Sequence, residues 1–354
     1  MPARRPTGTP APSSWGSSWA SSPSVASGRS WPWQPVDRST TSGRSAPTVV
    51  PRPRAQGRRH CPARPTGNRR SAMWTVDGLL AEAVGGRVGR RFGGLDDVDV
   101  MAAEALRTAA EQVLARPQKS EFIPGARPLS RRLLAAQWTL VLESLGLPAE
   151  PKVLELCAGG SDPVVVAVDT LFGNRATYVT VNLNRKLAAE LTERAQGLEL
   201  QIEIIEEDAQ NLNAIFPDAS VDCVCFHHAV NDILQTAVAG KYGLDTRDID
   251  WWPTERQMIE WMAEEHRKHG LAEVGLPELR AILEAAARVV KPGGALVFDH
   301  WTWEYHLALD WFPGDLFNHL IPLAREVALS LDTCLEEITP AGLDRQWWMV
   351  LRRS

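Results

Sequence analysis

Lys152-Val153-Leu154-Glu155-Leu156-Cys157-Ala158-Gly159-Gly160-Ser161-Asp162-Pro163 is where this 354-residue chain changes character. The first five residues suit a short apolar strand. Gly159-Gly160 makes a turn, and Ser161 as a cap with Pro163 in the first turn opens a helix. The helix interior, Val164-Val165-Val166, is β-branched, which suits a helix less well. Gly173 ends it. The alternation then repeats. Thr177–Val181 reads as a second strand, and Asn182-Leu183-Asn184 leads into a helix over 185–195 with Gly197 behind it. Residues 200–205 read as a third strand. Glu206-Glu207-Asp208-Ala209 and a short helix follow. Pro217-Asp218-Ala219-Ser220 is a turn into a fourth strand over 221–226.

Outward from there, a long insertion over about 232–276 holds Trp251, Trp252 and a helix that Thr254 and Gln257 would open as a capping box. The pattern predicts an amphipathic helix over 277–290 with Pro277 at its start. Lys291-Pro292-Gly293-Gly294 turns into a fifth strand over 295–298. A helix near 315–329 and a terminal hairpin of 334–338 with 346–351 complete the chain. Upstream, residues 77–147 read as helical. A first helix over 96–115 is closed by Pro117, and a loop over 120–128 contains Pro124, Gly125 and Pro128. A second helix over 130–145 carries Leu133, Leu134, Trp138, Val141 and Leu142 at helical spacing. Alternating βα units in this number imply an α/β fold: a doubly wound, mostly parallel, seven-stranded sheet behind an N-terminal helical cap. The expected division is 1–72, 73–149 and 150–354.

Residues 1–72 are a different polymer. They contain 12 Pro, 13 Ser and 12 Arg, a single acid, Asp37, and no Leu, Ile, Phe, Tyr, Lys or Glu, for a net charge of +11. The remainder, with 26 basic and 42 acidic residues, carries −16. Four tryptophans (Trp15, Trp19, Trp31, Trp33) are the large apolar groups of the first piece, too few to offset chain entropy by burial. A disordered, solvated extension upstream of a natural start at Met73 is expected. A nucleic-acid-binding arm and an organelle transit peptide are the competing readings, and 12 prolines oppose the amphipathic helix of the latter.

Five scattered cysteines exclude a disulfide scaffold. Cys223 and Cys225 form a C-x-C with no second pair to complete a zinc site, so no metal is expected. No apolar run approaches the roughly 18 residues of a membrane span. A cytoplasmic protein is expected. The acidic body disfavours a nucleic-acid backbone as substrate.

Four pieces of sequence, in order, carry a family resemblance. They are Val153-Leu154-Glu155-Leu156-Cys157-Ala158-Gly159-Gly160, Glu207-Asp208-Ala209, Phe216-Pro217-Asp218-Ala219-Ser220-Val221-Asp222 and Ala287-Arg288-Val289-Val290-Lys291-Pro292-Gly293-Gly294. Over about 130–353 the chain resembles the class I S-adenosylmethionine-dependent methyltransferases, with a Rossmann-like sheet and, from the last two pieces, the small-molecule branch. The resemblance implies S-adenosyl-L-methionine as cofactor and methyl transfer to a small-molecule acceptor. It implies that Glu155 orders the loop near the methionine part, and that Cys157 and Gly159 belong to the loop that approaches it. It also implies that Asn182 stands where an acid grips the ribose, that Asp208 accepts from the adenine amino group, and that Ala209 lies beside the ring. The family's Gly-x-Gly-x-Gly is here Cys157-Ala158-Gly159-Gly160-Ser161, and Asn182 replaces a carboxylate. Asn182 and Asp208 also read as ordinary helix caps.

Ligands of doubly wound sheets lie beyond the carboxyl ends of the strands. His227, His228 and Asp232 follow the fourth strand, and Asp299 and His300 the fifth. His227 is assigned to cofactor binding. His300 is the first choice of general base, with His228 and Asp299 beside it in the catalytic set. Trp251, Trp252, Trp301, Trp303 and Trp311 are candidates to line an acceptor pocket, whereas Trp261 reads as core. Trp347 and Trp348, being consecutive, are expected on opposite faces of the sheet. A non-catalytic cofactor-binding or interaction module is the first rival reading. A nicotinamide-dependent oxidoreductase ranks lower, because its G-x-G-x-x-G would need glycines where Cys157 and Asp162 stand.

Overall fold

The structure, a computed structural model, describes residues 75–92, 103–115 and 127–354. The extension 1–72 with its tryptophans, Met73, residues 96–102 of the first expected helix, Pro117 and the loop over 120–126 lie outside the described residues. The described helices are α1 (Val76–Leu80, continued by a π turn Ala81–Gly85), α2 (Arg87–Arg91), α3 (Ala103–Leu114), α4 (Arg127–Leu145), α5 (Pro163–Phe172), α6 (Arg185–Arg194), α7 (Leu212–Ile215), α8 (Ala229–Lys241), α9 (Trp251–Arg267), α10 (Leu271–Val289), α11 (Glu304–Leu307), α12 (Gly314–Phe317) and α13 (Leu320–Ser330). The strands are β1 (Lys152–Leu156), β2 (Thr177–Val181), β3 (Gln201–Ile205), β4 (Val221–His227), β5 (Val290–Asp299), β6 (Leu335–Glu337) and β7 (Trp348–Arg353).

They form one seven-stranded sheet in the order β3-β2-β1-β4-β5-β7-β6. β1 to β5 are parallel, and β7 runs antiparallel between β5 and β6. The expected mostly parallel, doubly wound sheet is therefore the observed one. Chain direction reverses its winding at β1, next to β4, which opens a crevice at the carboxyl ends of β1, β2 and β3.

Alternation along the strands assigns the two faces. Leu154, Leu156, Val224, Phe226, Leu296 and Phe298 face a core built with α8, α10 and α13. Val153, Tyr178, Cys223, Cys225, Ala295 and Val297 face the opposite core, built with α4 and α5. α5 is buried all along Pro163–Asp169. It lies between that core and a third one shared with α1 and α3. This explains how a Val-Val-Val run is helical: burial on every side overrides a weak local preference.

The two turn motifs read separately in the sequence are bonded to each other. Ala219 N donates to Arg288 O (3.0 Å) and Ser220 N to Val289 O (2.8 Å), and Arg288 pairs with Asp218 at 2.9 Å. Lys291 Nζ reaches both oxygens of Asp222 at 2.9 Å, while Asp222 Oδ2 also accepts from Lys152 N. Together they fix β4 between β1 and β5.

Several local expectations are corrected. Asp162, not Ser161, is the residue before α5, and its carboxylate pairs with Arg131 instead of capping. Pro128 is inside α4, in its first turn, where a missing N–H is tolerated. α9 begins at Trp251 after Asp250, and Thr254 bonds back to Asp250 O, so Thr254 does not open a capping box. Pro277 sits inside α10, which begins six residues earlier at Leu271. Residues 232 and 276 consequently fall within α8 and α10. The helix expected near 315–329 is two, α12 and α13. Trp347 precedes β7, so the strand's alternation does not reach it, and both Trp347 and Trp348 join one core.

Candidate functional site

The crevice holds a cleft of about 570 Å³ including its mouth. Cys157 and Gly159 reach it from the loop after β1. Asn182, Asn184 and Leu187 follow β2, and Asp208 and Ala209 follow β3. Asp232, Ile233 and Thr236 of α8, Thr246 and Trp251 around the start of α9, and Glu278 and Ile282 of α10 close the remaining side. Five of the seven residues assigned to a cofactor therefore line one cavity: Cys157, Gly159, Asn182, Asp208 and Ala209.

The loop after β1 has an unusual backbone. Cys157 has φ 56° and Gly159 φ 58°, both left-handed. Glycine enters that region without cost, whereas a cysteine there is strained. Cys157 thus keeps a conformation that a glycine would supply freely. A Cβ on Gly160 would stand 3.2 Å from Glu190 Cβ of α6 and would displace the Glu190 carboxylate. Arg194 donates to the Gly160 carbonyl, and Asn182 bonds the Gly159 peptide through both its amide atoms.

The charged groups in the cleft lining are three carboxylates, Asp208, Asp232 and Glu278. Each also makes one bond within the protein. Asp208 Oδ1 accepts from Gln210 N (2.9 Å), so it is also the helix cap that its sequence allowed. Asp232 Oδ1 accepts from Asn231 Nδ2 (2.7 Å), and Glu278 Oε1 from Gln210 Nε2 (2.7 Å). Burial, with Glu255 nearby, lifts Asp232 well above the usual carboxylate range. Burial alone pushes Glu255 up to about 7. Burial, helped by Asp208, also raises Glu278. The same burial and the surrounding carboxylates keep the Cys157 thiol protonated. A cleft of this kind accepts hydrogen bonds and favours positive charge.

Glu155 and His227 do not line the cleft. Both share the strand parity of Cys223 and Cys225 and face the α4–α5 side. Glu155 is fully buried and accepts from Tyr178 Oη at 2.5 Å. Burial, the largest influence, lifts its carboxyl to about 8. His227 Nδ1 accepts from Trp138 Nε1 at 2.9 Å and lies 2.9 Å from Asp299 Oδ1. The three residues expected to be catalytic are outside the cleft as well. Asp299 and His300 are 0 % exposed. His228, left-handed at φ 54°, stacks between His300 and Trp301, each at 4.3 Å. His300 also packs against Phe317 and Trp347. Of the tryptophans proposed for an acceptor pocket, Trp251 lines the cleft, Trp252 is exposed, and Trp311 lies under Arg256. Trp261 stacks on Tyr242.

Sequence reasoning missed Glu278 and the side-chain amide of Asn184. Asn184 caps α6 through Leu187 N and donates to Thr246 O and Ile249 O, which ties the α8–α9 connection to the cleft floor. Only the capping half of that was readable locally. Among the described residues no group of three or more His, Cys, Asp or Glu could hold a metal ion, and no helix is long and apolar enough to cross a membrane.

Residues 155–240 match the model of a family described as a methyltransferase domain. No curated protein matches the sequence. Among solved structures the chain is similar to TrmN from Thermus thermophilus, at 15% identity and a TM-score of 0.36, over 62% of this chain and 49% of that one. It is similar to a S-adenosylmethionine-dependent methyltransferase from Clostridium acetobutylicum, at 15% identity and a TM-score of 0.30, over 46% and 49%. A SAM-dependent methyltransferase from Aquifex aeolicus aligns at 15% identity and a TM-score of 0.38, over 66% and 98%. The chain spans about half the length of the first two of these.

Proposed function

We propose that this chain, which carries a class I S-adenosylmethionine-dependent methyltransferase domain, binds S-adenosyl-L-methionine in the cleft and transfers its methyl group to a small-molecule acceptor. One observation carries the reading. The residues after β1, β2 and β3 that the resemblance assigns to the cofactor converge on a single cavity whose charged lining is entirely carboxylate. The donor set fits the group. Adenine amino, ribose hydroxyl and ammonium groups all donate, and the sulfonium is cationic, so a lining rich in carboxyl oxygens suits these parts of it. The same lining opposes a pyrophosphate, which speaks against a nicotinamide dinucleotide.

In this reading Asp208 accepts from the adenine amino group and Ala209 packs beside the ring. The backbone at Gly159 approaches the methionine part, where a side chain would intrude. Bound there, the cofactor supplies a methyl group activated by its sulfonium. The protein's task is then to align the acceptor and exclude water. Asp232 replaces His300 as the candidate to take a proton from the acceptor, because it lines the cleft and burial makes it a stronger base than an ordinary carboxylate. Trp251 provides an apolar wall on the same side. A cytoplasmic location belongs to this reading, and the free thiols of Cys157, Cys223, Cys225 and Cys334 agree with it.

Calorimetric titration of the full chain tests the proposal, with NAD as control. Binding of S-adenosyl-L-methionine in the micromolar range or tighter, with none for NAD, is expected. Release of S-adenosylhomocysteine is then followed across small amines, alcohols, thiols and a tRNA transcript. Turnover with the transcript alone would overturn the small-molecule acceptor. Cofactor binding without turnover on any acceptor would favour a non-catalytic module. Absence of binding would end the reading.

A further inference from the structure

We propose that Asn182 is the positioning residue of the glycine loop, an amide clamp on the Gly159 peptide, and not a ligand of the cofactor's ribose. The inference rests on the cleft being the cofactor site, but the clamp itself is a property of the protein without ligand. Asn182 is 2 % exposed. Its Oδ1 accepts from Gly159 N at 3.0 Å and its Nδ2 donates to Gly159 O at 3.1 Å. Its own N–H donates to Ile205 O at 2.9 Å, which ties the clamp to the end of β3.

The loop needs such a partner. Left-handed residues at 157 and 159 turn the backbone away from any strand, so Gly159 has no ladder to satisfy its N–H and C=O. The Asn182 side chain imitates a neighbouring strand and pairs both groups at once. Arg194 secures the next carbonyl, that of Gly160. The other amide in the lining, Asn184, is committed in the same way to Leu187 N, Thr246 O and Ile249 O. The side-chain acceptors left in the lining to meet a ribose hydroxyl are thus Asp208, Asp232, Glu278 and the hydroxyls of Thr236 and Thr246.

The chemistry of the clamp is selective. An ionised carboxylate at position 182 could accept from Gly159 N but would set a second lone pair against Gly159 O. A protonated carboxyl can present one donor to Gly159 O and one acceptor to Gly159 N, the two bonds the amide makes here, and is nearly its shape. Restoring the acid found in the family should therefore damage this loop at high pH and spare it at low pH. A ribose ligand would behave in the opposite way, since an ionised acid grips hydroxyls more strongly than an amide.

The test uses the full chain as wild type, N182D and N182A. Hydrogen–deuterium exchange of residues 157–161, without ligand and expressed as protection factors, is measured at pH 5.5 and pH 8, beside calorimetric titration with S-adenosyl-L-methionine. Burial among the cleft carboxylates delays ionisation of an acid at this position, so the expectation for N182D is a loss of protection relative to wild type that is at least tenfold at pH 8 and clearly smaller at pH 5.5, with cofactor affinity following. N182A should lose both at either pH, and each variant is read against wild type at the same pH, because Glu155 and the cleft carboxylates also change wild type between the two values. Unchanged loop protection in N182D at pH 8 overturns the clamp, whatever the cofactor does. Tighter cofactor binding by N182D at pH 8 overturns it too and restores the ribose role. If no variant, wild type included, binds the cofactor, the functional reading fails while the exchange data still decide the clamp. Should N182A fail to fold, the two pH values of N182D suffice.

Discussion

At the carboxyl ends of β1, β2 and β3 the chain opens into a cleft ringed by Asp208, Asp232 and Glu278. At the ends of β4 and β5, one step along the same edge, it closes over His227, Asp299 and His300, all at most 2 % exposed. The general rule that ligands lie beyond strand ends applies to both. What separates them is strand parity and the elements that cover each place. His227 and Asp299 pair in register across β4 and β5 and point to the α4–α5 face, where Trp138 lies across them. Asp299 is next covered by Trp348 of β7, its partner in the adjoining ladder. The cleft, by contrast, is bordered by residues of α8, α9 and α10. A strand end is an address, and its neighbours decide whether that address is a site or part of the core.

This contrast can be broken by experiment. Trp138→Ala removes a fully buried indole and its bond to His227, so a stability loss of about 3–5 kcal/mol is expected in denaturant titration. Cofactor affinity, measured on the folded fraction, should hardly change; a large loss of affinity would join the histidine cluster to the cleft. Asp208→Ala should do the reverse. A fall in S-adenosyl-L-methionine affinity of about 10- to 100-fold, or roughly 1–3 kcal/mol, is expected with little change in thermal midpoint. Unchanged affinity would remove Asp208 from the site.

Glu155 sharpens the comparison through pH. In the unfolded chain it ionises near 4.5, but in the folded protein burial delays this to about 8. Between those values the unfolded chain binds fewer protons, so stability falls as pH rises through the window and levels off above it. Glu155→Gln cannot titrate and can still accept from Tyr178. Its stability should be flatter from pH 5 to pH 8, gaining on the order of 2 kcal/mol on wild type at the upper end. Parallel pH profiles would place the Glu155 charge elsewhere. The smallest effect is expected from His300→Gln in an assay of methyl transfer, with turnover within about threefold of wild type once corrected for folded protein. Loss of several orders of magnitude would return His300 to the role its sequence position suggested.

Much of this was legible. The bounds of β1 and β2 follow from short apolar runs stopped by Gly and Asn, and Gly173 and Gly197 end their segments in left-handed conformations as glycine signals imply. That Cys157, Gly159, Asn182, Asp208 and Ala209 would meet at one cleft was readable because each lies within a few residues of a strand end. Counting by twos along β4 from Cys223 and Cys225 would also have placed His227 in the core. The start of α10 was not readable. Pro277 looks like a first-turn residue, yet Leu271 and Gly275 pack against the core and extend the helix past it. The role of Asn182 was equally hidden, since a residue after a strand caps a helix, binds a ligand or clamps a loop with the same local signature.

By itself, then, the sequence determined the order of strands and helices, the class of sheet they build and the loops that meet at its crevice. Those features depend on periodicity and on capping and turn residues, which act between chain neighbours. Tertiary structure alone decided that Trp138 covers His227 from 89 positions away, that Asn182 spends its amide on Gly159, and that carboxylates from α8 and α10 complete the cleft. Burial, hydrogen-bond partners and raised carboxyl protonation are set by what approaches through space, and no local pattern records which distant side chain that will be.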